Sequence, residues 1–260
     1  MTRMLDGYAA LVTGASTGIG KGIARGLAQA GCRVAINYHS DADGAERTVA
    51  ELRDLGAEAF SVHADVGVAS DVKAMFITVL SRFRRLDILV NNAGIQTWKP
   101  LLEMEETEWD QVIATNLKGC FLCTQHAGRA MKERSFGVIV NIGSGSNKVP
   151  FPNLSSYTAS RGGIEMFTKA AAVELGPYGI RVNCVAPGAI EVERTKLEAA
   201  GYSDAWANIT PLRRIGTPED VAGLVVFLAS PEAAFISGQT IWVDGAAFTQ
   251  PRWPHEDYRA

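Results

Sequence analysis

The chain has 260 residues, 47% of them hydrophobic and 20% charged, with a formal net charge of −3. That length holds one large α/β domain or two small ones, and the composition is that of a soluble globular protein with a sizeable core. No run of lysines or arginines forms a basic tail, which argues against nucleic acid as a partner, and the longest apolar stretches, such as Ala222 to Ala229, are too short to cross a membrane.

The N-terminal Met-Thr-Arg-Met-Leu-Asp-Gly has no signal-peptide pattern, so a cytoplasmic location is the expectation. From there the pattern alternates. A strand over Ala9–Thr13 leads through Gly14-Ala15-Ser16-Thr17-Gly18-Ile19-Gly20 into a helix over Ile19–Ala30. A strand at Arg33–Tyr38 and a helix at Ala42–Leu55 follow, then a strand at Ala59–His63 and a helix at Ser70–Phe83. Next come a strand at Ile88–Val90, one long helix over Thr107–Lys132, a strand at Val138–Ile142 and a helix at Ser156–Glu174. The chain closes with strands at Arg181–Val185 and Thr240–Val243 around a helix at Glu219–Ala229. Continuously apolar strands separated by helices predict an α/β, single-domain doubly wound Rossmann fold: a seven-stranded parallel sheet with helices on both faces. The stretch of about 188–216 breaks the rhythm at the carboxyl end of a strand, where a substrate lid would sit.

Glycines 14, 18 and 20 fall between a strand and a helix, where a tight turn and a helix N-terminus can cradle a pyrophosphate. Four cysteines (Cys32, Cys120, Cys123, Cys184) are too scattered for a disulfide framework. Cys120-Phe-Leu-Cys123 with His126 lacks a second ligand pair, so buried small hydrophobes and no metal site are expected. The acids Glu103, Glu105, Glu106 and Glu108 open a helix, where their charge suits the macrodipole. Ser155 and Ser156 are placed to cap the helix that carries Tyr157.

A tyrosine titrates near ~10, too high for a good base at neutral pH unless a cation favours the phenolate. Tyr157 and Arg161 stand one helical turn apart, which gives that arrangement, and Ser144 lies thirteen residues before the tyrosine. Ser146 is a less well-spaced alternative to Ser144. Together with the glycine turn, these residues resemble the active site of the short-chain dehydrogenase/reductase family, which uses a serine, a tyrosine and a lysine four residues after it. The lysine position here is Arg161, which keeps the charge but is wider, planar and does not titrate in the working range.

The resemblance implies Tyr157 as general acid/base and Ser144 as substrate orienter. It implies Asn116 as the support of a proton-relay water, and Arg161 as the cation beside the nicotinamide ribose. It places the cofactor on Gly14, Ser16, Thr17, Gly18, Ile19 and Gly20, on Tyr38, His39 and Ser40, and on Asp65 and Val66. Asn92, Ala93, Gly94, Tyr157, Arg161, Pro187, Gly188 and Ile190 complete that set. No acid stands at the end of the second strand to exclude a 2′-phosphate, and no arginine or lysine anchors one. The cofactor is therefore NADP or NAD, with NADP mildly favoured. Val192 is a second departure, where many relatives place a threonine; Thr195 is the candidate substitute.

Within the family the chain looks most like bacterial glucose 1-dehydrogenases. The expected substrate is a small alcohol or carbonyl compound, a sugar such as glucose. Gln96, Asn147, Lys148, Asn153 and His255 could bind its hydroxyls, and Trp98 or Trp206 could stack on it. The alternatives are a ketoreductase of the 3-oxoacyl type and a nucleotide-binding protein with weakened catalysis. The family's habit implies a homotetramer, with Ile164, Phe167, Ala171 and Ala172 compatible with an intersubunit face and equally with core packing.

Overall fold

The computed structural model describes residues 4–193, 195 and 201–249. Strands β1 (Ala9–Val12), β2 (Arg33–Tyr38), β3 (Ala59–His63), β4 (Ile88–Asn91), β5 (Gly137–Ile142), β6 (Ile180–Pro187) and β7 (Thr240–Val243) form one sheet. Its order is β3-β2-β1-β4-β5-β6-β7, and every neighbouring pair is parallel. The α-helices among the described residues include α1 (Gly18–Gln29), α2 (Ala42–Asp54), α3 (Ala69–Phe83), α4 (Glu106–Ile113), α5 (Gly119–Lys132), α6 (Ser155–Leu175), α7 (Tyr202–Ile209) and α8 (Pro218–Ala229). The fold is the doubly wound Rossmann arrangement expected from the alternation.

Alternate strand residues point to opposite faces, so each apolar strand serves two cores. Val12, Val34, Ile36, Val138 and Val140 pack against α1, α2 and α8 through Ile23, Leu27, Val49, Leu52, Val225 and Leu228. On the other face Leu11, Leu89, Ile139 and Val182 meet Phe76, Val79 and Phe83 of α3, Leu122 and Met131 of α5, and Ala171 of α6. The strand order reverses between β1 and β4. There the loops after the two strands part and leave a crevice at the carboxyl edge.

Four local expectations need correction. The long helix over Thr107–Lys132 is two helices, α4 and α5, separated by a single π-helical turn over Ala114–Lys118. Such a turn inserts one extra residue, and it carries Asn116, buried to 1% exposure. Ser155 and Ser156 do not cap α6: the N-cap is Leu154, Ser155 Oγ donates to Met104 Sδ at 3.6 Å, and Ser156 Oγ is buried without a protein partner. The proposed intersubunit residues belong to the cores instead. Ile164 and Ala171 are buried, while Phe167 and Ala172 are partly buried against the cores; the exposed large apolar residues of α6 are Met166 and Val173. The segment 188–216 contains regular structure, since Ile190 bridges to Gly216 and α7 lies between them.

Other details follow the sequence reading. Thr217 and Asp220 form a capping box at the start of α8, and Glu105 and Glu108 form one at the start of α4. All four cysteines are buried free thiols. Burial pushes Cys32, Cys120 and Cys184 up to about 12 and Cys123 higher still, so they pack as small hydrophobes. His126 stacks on Phe76 at 5.3 Å, and burial, then Arg129 and Lys73, lower its pKa.

Candidate active site

The crevice begins at the turn after β1. Gly14 takes φ +59°, a left-handed conformation that suits glycine. Thr13 Oγ1 accepts the N–H groups of Asn92 and Ala93, both at 3.0 Å, and Asn92 Nδ2 donates to the carbonyls of Thr13 (2.9 Å) and Gly14 (2.8 Å). These bonds stitch the loop after β4 to the loop after β1. A Cβ on Gly20 would lie 2.4 Å from the Gly14 carbonyl and 2.5 Å from Asn92 Nδ2, so the first turn of α1 sits flush against both loops. Asn37, buried on β2, accepts from Gly14 N at 3.2 Å and donates to the Val62 and Ala64 carbonyls. Sequence reasoning missed Thr13 and Asn37; a polar residue in an otherwise apolar strand was the available signal.

The cleft encloses about 830 Å³. The expected residues of the glycine turn (Gly14, Ser16, Thr17, Gly18, Ile19, Gly20) line it. So do Tyr38, His39 and Ser40 after β2, Asp65 and Val66 after β3, and Asn92, Ala93 and Gly94 after β4. Ser144 after β5, Tyr157 and Arg161 on α6, and Pro187 and Gly188 after β6 complete the wall. Ile190 does not join them: it is buried and held by its bridge to Gly216. Asn116 lies behind the wall.

At the chemical end, Arg161 is 6% exposed. Its Cζ lies 4.9 Å from the centre of the Tyr157 ring, and Nη1 donates to the Ile142 carbonyl at 2.8 Å. Nη2 fills the space beside Gly94, where a Cβ would lie 2.3 Å from it. The third donor, Nε, is buried with no protein partner. Asn116 Oδ1 accepts from Ile95 N (2.8 Å), and Nδ2 donates to Ile95 O (2.9 Å) and Ser160 Oγ (3.0 Å). Ser160 Oγ in turn donates to the Tyr157 carbonyl at 2.7 Å. The π turn thereby ties the loop after β4 to the first turns of α6. Ser160 was not among the residues singled out from the sequence.

This shape fits a dinucleotide. Glycines leave a cradle that a Cβ would fill, the α1 N-terminus opens onto it, and a buried guanidinium donor has no partner in the protein. A family model described as enoyl-(acyl carrier protein) reductase matches residues 14–246. The 3-oxoacyl-[acyl-carrier-protein] reductase FabG of Staphylococcus aureus is 44% identical over 240 residues, covering 92% of this chain and 98% of that protein. The structure of a short chain dehydrogenase from Burkholderia cenocepacia J2315 in complex with NADP superposes with a TM-score of 0.87 at 35% identity, covering 94% of this chain and 99% of that one. A gluconate 5-dehydrogenase from the same organism, in complex with NADP and tartrate, gives 0.89 at 37%, covering 96% and 98%.

The chain belongs to the short-chain dehydrogenase/reductase family. It is an oxidoreductase of CH–OH and carbonyl groups. The expected sugar ligands of this short-chain dehydrogenase/reductase do not gather in the cleft: among the described ones, Gln96 lines it and Asn147, Lys148 and Asn153 do not. Asn147 Oδ1 accepts from Ser144 N (3.2 Å) and its Nδ2 donates to Glu165 (3.3 Å), so Asn147 shapes the serine turn. Lys148 Nζ lies over the Trp242 ring at 5.5 Å, Asn153 adopts φ +63° and its carbonyl accepts from Lys99 N, and neither lines the cleft. Gln96 does line it; Trp98 is exposed, and His255 lies outside the described residues. Thr195 Oγ1 accepts from Val192 N and donates to Val192 O, which closes a local turn. Ser146 Oγ is buried and off the cleft.

Trp206 is part of an aromatic cluster that sequence reasoning did not find. Phe151 after β5, Trp206 on α7 and Phe248 after β7 hold ring centres 5.9–6.2 Å apart. Asp244 accepts from the N–H groups of Ala246 and Phe248 and fixes the last of these rings. Phe248 rests on Gly145, where a Cβ would come within 2.3 Å of the ring. Gly145→Ala must therefore displace either the ring or the turn that carries Ser144. We expect kcat/KM to fall roughly 10- to 100-fold with nucleotide affinity kept, since a displacement of about 1 Å near the chemistry costs that much. Steady-state kinetics beside calorimetric binding would check it; unchanged kcat/KM would show that the cluster does not support Ser144.

Proposed function

We propose that the chain is an NAD(P)-dependent ketoreductase of the 3-oxoacyl type, with NADP favoured. The supporting observation is that Ser144, Tyr157 and Arg161 line the same cleft as the glycine turn. In this reading the turn of residues 14–20 holds the pyrophosphate, Asp65 and Val66 border the adenine, and Asn92–Gly94 with Arg161 meet the ribose beside the nicotinamide. When bound, the nicotinamide supplies or accepts the hydride at the substrate carbon. Ser144 Oγ donates to the substrate oxygen and orients it. Tyr157 Oη gives its proton to that oxygen during reduction and takes one from the hydroxyl during oxidation. The Arg161 charge, 4.9 Å from the ring centre, stabilises the phenolate left behind. The resemblance puts Arg161 where the family has lysine, and its charge persists at every working pH.

Two observations favour an acyl carbonyl over glucose. Two of the polar residues expected to bind a sugar, Asn147 and Lys148, are engaged away from the cleft, and the aromatic ring of Phe248 rests on the serine turn at Gly145. The full-length similarity to a 3-oxoacyl reductase agrees with this. The test is the initial rate of NADPH oxidation by an acetoacetyl thioester, compared with NADP reduction by D-glucose and D-gluconate. We expect the thioester to be turned over at least about tenfold faster. Faster turnover of either sugar compound would return the enzyme to the polyol class. Nucleotide binding with no turnover of any would support the nucleotide-binding alternative. In the same assay we expect Arg161→Lys to change kcat by less than about tenfold, because the charge is kept; a large gain in kcat at unchanged nucleotide affinity would mean that arginine cripples the site.

We also propose a homotetramer. Met166 and Val173 on α6, Leu102 after β4 and Phe235 before β7 are large apolar side chains left exposed. Light scattering at micromolar concentration should give four chains; a monodisperse monomer would refute it.

A further inference from the structure

None of the described residues that line the cleft at its end near β2 is an arginine or lysine. Among the described residues that line the cleft, Arg161 is the one arginine or lysine, and it lies beside β5, three strands away across the sheet. The β2 end instead presents His39 and Ser40 beside two carboxylates. His39 Nε2 lies 4.0 Å from Asp65 Oδ2, and its ring centre is 5.9 Å from that of His63 on β3. His63 also meets the Tyr38 ring edge-on at 5.4 Å.

Both carboxylates are held in place. Asp65 Oδ1 accepts from Gly67 N at 2.8 Å, and the Asp65 N–H donates to Asp71. Asp41 Oδ1 accepts from Gly44 N at 2.9 Å and caps α2. A phosphate arriving here meets two fixed negative groups, a serine hydroxyl and an imidazole. With His39 neutral, the carboxylates repel the phosphate unopposed. With His39 protonated, the rim gains a positive donor that can bridge phosphate and Asp65.

We propose that His39 selects between the two nicotinamide nucleotides, and that it accepts the 2′-phosphate of NADP only when protonated. Preference for NADP over NAD is then strong in mildly acidic solution and fades as pH rises through the histidine range. The inference rests on the cleft being the nucleotide site. The other titratable groups facing His39 are His63 from β3, Asp65 from the loop after it, Asp41 from the start of α2, and Tyr38 on β2. Of these, His63 is the second imidazole, so it is the control in the test. The 2′-phosphate gains its own second charge near ~6, which strengthens cation contacts as pH rises, opposite to the proposed effect.

Calorimetric Kd values for NADP and NAD from pH 6 to pH 8 test this without turnover. In the native protein we expect the ratio Kd(NAD)/Kd(NADP) to fall about tenfold across that range, the loss of one charge-assisted contact. His39→Lys should hold the ratio high, level or rising with pH; His39→Gln should hold it low, with no fall. His63→Gln should keep the native fall. His39 is exposed, so these variants leave the core intact. A native ratio that does not fall, a fall that persists in His39→Gln, or one that vanishes in His63→Gln overturns the proposal. No binding of either nucleotide at any pH overturns the nucleotide reading itself, and the proposal with it.

Discussion

Tyr157→Phe should lower kcat by about 10²–10⁴-fold, the span associated with losing a positioned general acid/base, while nucleotide Kd changes less than about threefold. The two effects separate because the phenylalanine ring keeps the packing and removes only the proton-bearing oxygen. The ring stays in contact with the Arg161 guanidinium, whose bond to the Ile142 carbonyl does not involve the hydroxyl. Ser160 holds the Tyr157 backbone through its carbonyl, so the helix start keeps its tie to Asn116. Single-turnover rates beside calorimetric binding would decide it. Retention of more than a tenth of native kcat would remove Tyr157 from the chemistry.

The largest stability effect is expected at Asp87, a fully buried carboxylate at the amino end of β4. Its Oδ2 accepts from Ala9 N at 2.8 Å and Oδ1 pairs with Arg85 Nη2 at 2.5 Å. Its backbone N–H donates to the Ala9 carbonyl and its own carbonyl accepts from Val138, so one residue joins β1, β4 and β5. Asp87→Ala strands the Ala9 N–H and a partly buried guanidinium without partners. Breaking a buried pair in this way costs about 3–5 kcal/mol, which lowers Tm by roughly 10 °C in a domain of this size. Thermal unfolding by circular dichroism checks it, and a loss under about 1 kcal/mol would show that the strands do not depend on this residue. Asp87→Asn, which can still accept from Ala9, should lose less.

Much of the arrangement was legible in the residues because it depends on local rules. Runs such as Ala9-Ala10-Leu11-Val12 and Val138-Ile139-Val140 are apolar on both faces, which only a helix-covered parallel strand permits, and their bounds lie within a residue or two of those observed. The glycine turn, Tyr157, Arg161 and Ser144 were recognisable by their resemblance to the family's motifs, and they do line one cleft. The resemblance also pointed to Asn116, but not to its π turn, because an extra residue in a helix leaves no periodic mark over so few residues. Serines before a helix read as caps, yet tertiary contact with Met104 took Ser155.

The sequence by itself determined the sheet, the nucleotide-type turn and which side chains reach the carboxyl edge, since strand period, helix period and glycine geometry act over a few neighbouring residues. Only the tertiary structure decided how those side chains are used. It turned Arg161 onto Ile142 and left its Nε without a protein partner; it committed Asn147 to the serine turn and removed Ile190 from the cleft wall. It also gathered Phe151, Trp206 and Phe248 from three distant segments and set His39 against Asp65 at an edge where no described lining residue is a lysine or arginine. Those outcomes depend on contacts between residues far apart in the chain, where packing and charge are settled by the whole fold.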